Sequence, residues 1–146
     1  MQFKQVLVSK LSQSNLLKDE LSIYNGELAI FEQCVPNDAK TPFIKYYTTA
    51  YSVPTIKQTV CLTVSFYKAD MNTDDTKYIM FEIAEILDNK LFRAPNKDDL
   101  RIFIASNPVY VLGSLDERCN HASINFIIRG AINQWGVFGY GKTSNN

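Results

Sequence analysis

The alternating segment Thr55–Tyr67 constrains the fold of this 146-residue chain more than any other feature. Apolar side chains recur at every second position from Val60 to Phe66, and hydroxyl, thiol and basic groups fill most of the positions between. Because side chains along a strand point alternately to opposite faces, this period of two indicates a strand. One face of the strand would lie in a hydrophobic core and the other would be more polar, as is typical of an antiparallel sheet.

An amphipathic helix is predicted to follow, beginning at Asn72 or Thr73. Asp74 and Asp75 fall in its first turn, where the helix dipole favours negative charge. Its apolar stripe is wide enough to pack on a sheet and consists of Ile79, Met80, Ile83, Ile86, Leu87 and Leu91. Residues 2–21 also have helical spacing, with a polar break at residues 12–15 that ends or caps the run.

Further strands are predicted on both sides of the long helix. Phe43–Tyr51 is aromatic and β-branched, and Leu28–Val35 is ambiguous. Leu100–Ala105 and Val109–Leu112 read as one strand interrupted by a proline or as two strands, and Ala122–Ile132 is the last strand. Strands in hairpin pairs with segregated helices predict an α+β fold: an antiparallel sheet of about four strands, with an N-terminal helix and one long amphipathic helix packed on one face.

Composition bounds the class of protein. The chain is 46% hydrophobic and 21% charged, which is typical of a globular domain, and its 15 basic and 15 acidic residues cancel. A dedicated nucleic-acid binder usually carries a clear basic excess. The three cysteines, Cys34, Cys61 and Cys119, form no disulfide framework and are expected to be reduced. Neither a signal peptide nor a membrane-spanning run is expected.

The string Gly136–Thr143 (GVFGYGKT) matches the spacing of a phosphate-binding loop. Such a loop must open a helix whose N-terminal amides hold the phosphates. Only Ser144, Asn145 and Asn146 follow Thr143. We therefore interpret residues 136–146 as a Gly-rich C-terminal arm attached to a single domain at residues 1–135, and not as a nucleotide site.

Three other patterns are weighed in the same way. Asp70–Asp75 resembles the opening of a calcium loop, but the glycine and the bidentate glutamate that the loop requires are absent, so helix N-terminal residues are favoured. His121 with Cys119 lacks the further ligands of a zinc site and an orienting group for catalysis. The aromatic strand Phe43–Tyr51 with Lys45 could stack bases on a sheet face, although core and interface aromatics are favoured. No catalytic, metal-binding or cofactor-binding residue is predicted.

The order of elements resembles that of the tail-terminator, or tail-completion, proteins of tailed bacteriophages. The resemblance covers residues 15–135. It rests on Ile30–Ala39, on the Pro-aromatic-aliphatic-x-Tyr string within Thr41–Tyr46, on the alternating strand Thr59–Tyr67, on the helix Asp74–Leu91 and on the last strand Ala122–Ile132.

This resemblance implies a non-enzymatic structural protein of the virion, located at the junction of tail and neck and assembled in the host cytoplasm. The protein would form a hexameric ring that caps the tail tube, stops its polymerisation and meets the neck or head-closure protein. In a contractile tail the ring would also meet the sheath protein. Genomic DNA would pass through the lumen without sequence-specific binding, and no cofactor is implied.

A ring subunit must bury surface against its neighbours, and the C-terminal arm is the predicted interface. Its candidate anchors are Trp135, Phe138, Tyr140 and Lys142. Three alternatives remain open at this point: another neck component such as a head-tail adaptor or head-closure protein, a small α+β binding module, and a nucleotide-binding protein.

Overall fold

The computed structural model describes residues 2–50, 59–113 and 120–137. Over these ranges the chain forms three α-helices, nine strands and one short 3-10 helix. Helices and strands are both major components, which confirms the predicted α+β class.

The three helices are α1 (Phe3–Ser12), α2 (Asn15–Glu20) and α3 (Thr73–Leu87). The predicted polar break between α1 and α2 is confirmed, because Ser14 caps α2: its Oγ accepts a hydrogen bond from the backbone amide of Leu17. Asn72 caps α3 in the same manner: its Oδ1 accepts hydrogen bonds from the backbone amides of Asp74 and Asp75.

The strands vary widely in length, from two residues to ten. They are β1 (Ile23–Tyr24), β2 (Glu27–Leu28), β3 (Ile30–Glu32), β4 (Phe43–Ala50), β5 (Thr59–Tyr67), β6 (Lys90–Phe92), β7 (Leu100–Ile104), β8 (Val109–Val111) and β9 (His121–Gly130). The 3-10 helix Ile132–Trp135 follows β9. Predicted strand residues 51 and 55–58 lie outside the described ranges, and the predicted residues 33–35, 105 and 112 are not in strands.

The predicted antiparallel sheet of about four strands is wrong in size and in direction. The main sheet has seven strands in the order β3-β4-β5-β9-β7-β6, with β8 beside β9, and β3 runs parallel to β4. Strands β1 and β2 form a separate hairpin. Strands of two or three residues cannot display a period of two, so periodicity detects the long strands and misses the short ones.

Two predicted element ends are also wrong. Helix α3 ends at Leu87, and Leu91 pairs with Arg101 in the sheet instead of extending the helical stripe. Asn89 makes the turn between them with a positive φ of 56°, a conformation that asparagine tolerates well. Strand β9 ends at Gly130, so Ile132 belongs to the 3-10 helix.

The hydrophobic core lies on one face of the main sheet. Alternate residues of β5, from Val60 to Phe66, are buried there together with the matching positions of β9. Buried residues of α1, α2 and α3 belong to the same cluster, so the described helices pack on this face. The predicted core face of the alternating strand is therefore confirmed for residues 60–66.

Candidate assembly surface

Three large apolar side chains are solvent-exposed on the helix-covered side of the main sheet, near one edge. On α3 they are Tyr78 and Phe81, which are 60% and 69% exposed, and on β7 the third is Ile104. With the residues next to β8 that border them, we call this group the α3–β8 surface. Val109 and Val111 of β8 are also exposed, but their pairing with β9 places them on the opposite face of the sheet. Neighbouring exposed apolar side chains mark interaction sites in soluble proteins.

A groove of about 570 Å³ runs through the α3–β8 surface. Buried Met80 and Ile124 belong to its lining, and the exposed rings of Tyr78 and Phe81 border it. The remaining lining residues are Lys77, Ala84, Ile104, Asn107, Pro108 and Tyr110. Since Lys77 is the one charged residue among the described residues of the lining, the groove suits an apolar partner better than a charged one.

Helix geometry explains why these rings are exposed. The buried face of α3 carries Ile79, Met80, Ile83 and Leu87. Tyr78 and Phe81 are three residues apart, so they share a side of the helix that is off this face. Sequence reasoning assigned the stripe and missed this pair, although two large rings outside an apolar stripe are a detectable signal.

A second apolar surface lies beside the opposite edge of the sheet. Ile23 on the β1–β2 hairpin is 63% exposed, and a groove of about 450 Å³ next to it includes Val8, Leu28 and Ile30. We call this the hairpin surface. Ile30 belongs to β3, which ends the sheet on this side, whereas β6 and β8 lie at the other side.

Trp135, the first predicted interface anchor, is a core residue in the structure. Its side chain is fully buried, its Nε1 donates a 2.7 Å hydrogen bond to the carbonyl oxygen of Asp98, and its ring meets Phe92 edge-on with centroids 6.2 Å apart. Val137 is buried as well, so the folded domain extends past the predicted boundary at residue 135. Three further predicted anchors, Phe138, Tyr140 and Lys142, lie outside the described residues.

Truncation separates the domain from the arm. We expect a chain ending at Val137 to unfold at the same temperature as the full chain, because the core is retained. A chain ending at Trp135 loses the buried Val137 side chain, which contributes about 1.5–3 kcal/mol to the free energy of unfolding. Thermal melts of both truncations check this. Equal melting temperatures for the two truncations would show that Val137 does not stabilise the domain.

The other sequence patterns have structural explanations where they are described. The side chain of Asn72 caps α3, so Asp74 and Asp75 are first-turn residues of that helix. Gly136 ends the 3-10 helix with a φ of 66°, while Lys142 and Thr143 lie outside the described ranges. Over those ranges no group of three or more acidic, histidine or cysteine side chains is placed to hold a metal ion.

His121 and the cysteines are not brought together as a reactive group in the described part of the chain. The imidazole of His121 stacks on the ring of Tyr67 at 4.8 Å, and Cys119 lies outside the described residues. Cys34 and Cys61 are free thiols. Burial raises the pKa of the Cys61 thiol, although hydrogen bonds with Thr63 and Thr49 oppose that change, so the thiol is a poor nucleophile at neutral pH.

Within the described ranges no helix is both long and apolar enough to cross a membrane. Comparisons of the chain with protein-family models, with curated proteins and with solved structures found no match. Inferences about function therefore rest on the sequence resemblance and on the surfaces described above.

Proposed function

We propose that this chain is a non-enzymatic structural subunit of a phage tail, a tail terminator that assembles into a ring. The observation that carries the proposal is the α3–β8 surface. Rings such as Phe81, exposed to 69%, are unfavourable in water and become buried when a partner covers them. An assembly subunit needs such a surface, whereas a protein that acts as a monomer does not.

A closed ring of identical subunits requires two different surfaces on each subunit that fit one another. The α3–β8 surface and the hairpin surface lie toward opposite edges of the main sheet. The groove of the first is mainly apolar, and the groove of the second combines apolar side chains with Lys18 and Glu27. In the proposed ring the hairpin surface of one copy packs on the α3–β8 surface of the next. Residues 138–146, which include Phe138 and Tyr140, are proposed to add to the same contact.

The biological role follows from the resemblance to tail terminators. The ring would cap the tail tube, stop its growth and offer its other side to the neck protein, with genomic DNA passing through the lumen. The α+β fold supports this role over the other neck components, because adaptors tend to be largely helical and head-closure proteins tend to be small barrels. No observation on the described residues favours a nucleotide-binding protein.

Alanine at Phe81 tests the interface. If Phe81 is an anchor of the ring contact, we expect Phe81→Ala to weaken association by at least about 2 kcal/mol, or roughly 30-fold in dissociation constant. Glu85→Ala is the matched control, since Glu85 is exposed on the same helix and does not line the groove. Sedimentation velocity over a concentration series measures both. If the two variants associate with the same dissociation constant, Phe81 is not part of the interface.

Mixing two defective variants tests the head-to-tail arrangement. Phe81→Asp and Ile23→Asp each place a charge in one of the two surfaces, and each is expected to be monomeric alone. Because each variant keeps the surface that the other has lost, an equimolar mixture is expected to form a heterodimer with one intact contact. A mixture that stays monomeric would contradict the pairing of these two surfaces.

A further inference from the structure

The face of the main sheet opposite the core has an unusual charge distribution. It is formed by the odd-numbered positions of β4, β5, β7, β8 and β9, because those registers place odd-numbered residues opposite one another. We call it the open face. Its charged side chains are Lys45, Arg101 and Arg129, and none of these strand positions holds Asp or Glu. Positive charge is thus segregated here in a chain whose 15 basic and 15 acidic residues cancel.

Two arginines of the open face lie side by side. Arg101 on β7 is the direct cross-strand partner of Arg129 on β9, and both guanidinium carbons lie within 6 Å of the centre of the Phe103 ring, at 5.8 and 5.9 Å. Like charges opposite one another destabilise a sheet. Neither guanidinium forms an ion pair with a carboxylate of the described residues, and Arg101 donates instead to the side-chain oxygen of Asn89 at 3.0 Å. A bound anion would relieve this repulsion.

The centre of the open face is polar and has aromatic rings around it. Thr63 donates to the Oδ1 of Asn125 at 2.7 Å, and a hydroxyl pair at 2.7 Å links β5 to β9 in the next row. Half-buried Tyr47 lies beside this centre, with the Nζ of Lys45 5.9 Å from its ring. Thr63 and Ser65 are only 8% and 3% exposed, so a ligand would meet the rings and cations around this polar centre. Aromatic rings and cations on one sheet face are groups that contact bases and phosphates.

The cations are spaced for an extended ligand. Lys45 pairs with Ser65 of β5 and Arg129 pairs with Thr59. These partners are six positions apart on one strand, a distance of about 20 Å at roughly 3.3 Å per residue. A single small anion cannot reach both ends, whereas a chain of several phosphates can.

We propose that the open face binds single-stranded nucleic acid, with phosphates on Lys45, Arg101 and Arg129 and an unpaired base against Tyr47. Because the strand positions of this face hold cations and no carboxylate, the face favours a negatively charged polymer. Its aromatic rings favour nucleic acid over an acidic polypeptide. Unpaired bases are required because an aromatic side chain can stack on a base face only outside a duplex. The inference is independent of ring formation and goes beyond the proposed structural role.

Salt dependence of binding to a fluorescein-labelled oligothymidine, followed by anisotropy, tests the proposal. Three phosphate contacts on a single strand predict a log–log slope of about −2, so affinity falls about 20-fold between roughly 50 and 200 mM salt. Arg129→Ala removes one contact, and the same change in salt should then weaken binding only about 7-fold. Lys90→Ala is the control, because Lys90 occupies an even-numbered position on the core side of the sheet, and its slope should match that of the wild type.

Three results would overturn the proposal. The first is no binding at low salt by a wild-type protein whose circular dichroism shows it folded. The second is an Arg129→Ala slope equal to that of Lys90→Ala. The third is binding of a duplex of the same length, or of polyglutamate, with an affinity equal to that of the single strand. A far-ultraviolet spectrum of each variant confirms that loss of binding is not loss of fold.

Discussion

Replacing Trp135 with alanine is expected to lower the free energy of unfolding by about 3–5 kcal/mol, the range for truncating a large buried aromatic side chain. The indole is fully buried against Phe92, and its Nε1 donates to the carbonyl oxygen of Asp98. The substitution leaves a cavity and removes the hydrogen bond that ties the 3-10 helix to the loop before β7. Urea unfolding followed by circular dichroism measures the change.

Two controls identify the origin of this effect. Trp135→Phe keeps a six-membered aromatic ring but loses the N–H group and part of the buried indole. We expect it to lose less stability than Trp135→Ala, while the hydrogen bond to Asp98 is lost in both. Phe81→Ala removes an aromatic ring of similar chemistry from the surface, and we expect it to change monomer stability by less than about 1 kcal/mol. Equal losses for Trp135→Ala and Phe81→Ala would contradict the assignment of Trp135 to the core.

Gly130→Ala is expected to cost about 2–4 kcal/mol, from an unfavourable backbone conformation and from a steric clash. Gly130 ends β9 with a φ of 128°, which residues with a side chain rarely adopt. An added Cβ would lie 2.5 Å from the backbone oxygen of Asp99 and 3.3 Å from the Cα of Leu100. Both of these contacts are with backbone atoms, so the clash cannot be relieved by the movement of a side chain.

Gly113→Ala is the matched control for that substitution. Gly113 also has a positive φ, of 96°, but an added Cβ there meets nothing within 4 Å. Chemical unfolding of the two variants should give a clearly smaller loss for Gly113→Ala, because only the backbone strain is present. If the two glycines give the same loss, the close approach of Asp99 to β9 is not a constraint on the fold.

Long elements with a clear period were predictable from the sequence, and short ones were not. The β5 face from Val60 to Phe66 and the cap of α3 at Asn72 follow from local patterns and are found in the structure. Strands β3, β6 and β8, of three residues each, depend on pairing with distant partners. Leu91 is an example. Its spacing in the sequence fits the apolar stripe of α3, but it lies in β6 because it pairs with Arg101 of β7.

The surfaces were harder to predict than the core. Trp135 was predicted as an interface anchor because the Gly-rich residues 136–141 follow it. In the structure the carbonyl oxygen of Asp98, 37 positions earlier, accepts a hydrogen bond from its N–H group inside the domain. The exposure of Tyr78 and Phe81 follows from the α3 stripe, but the groove that these rings form with Ile104 and Pro108 depends on tertiary packing. The open face could not be predicted without the strand registers, because only the registers show that Arg101 lies beside Arg129.

The central claim is that this protein is a ring-forming subunit, and its state of assembly in solution tests that claim most directly. Sedimentation velocity of the purified 146-residue chain at rising concentration, with negative-stain images of the same samples, reports both mass and shape. The account predicts closed, hexameric rings that are lost in Phe81→Asp. A wild-type protein that remains strictly monomeric at the highest concentration, and is indistinguishable from Phe81→Asp, would contradict it.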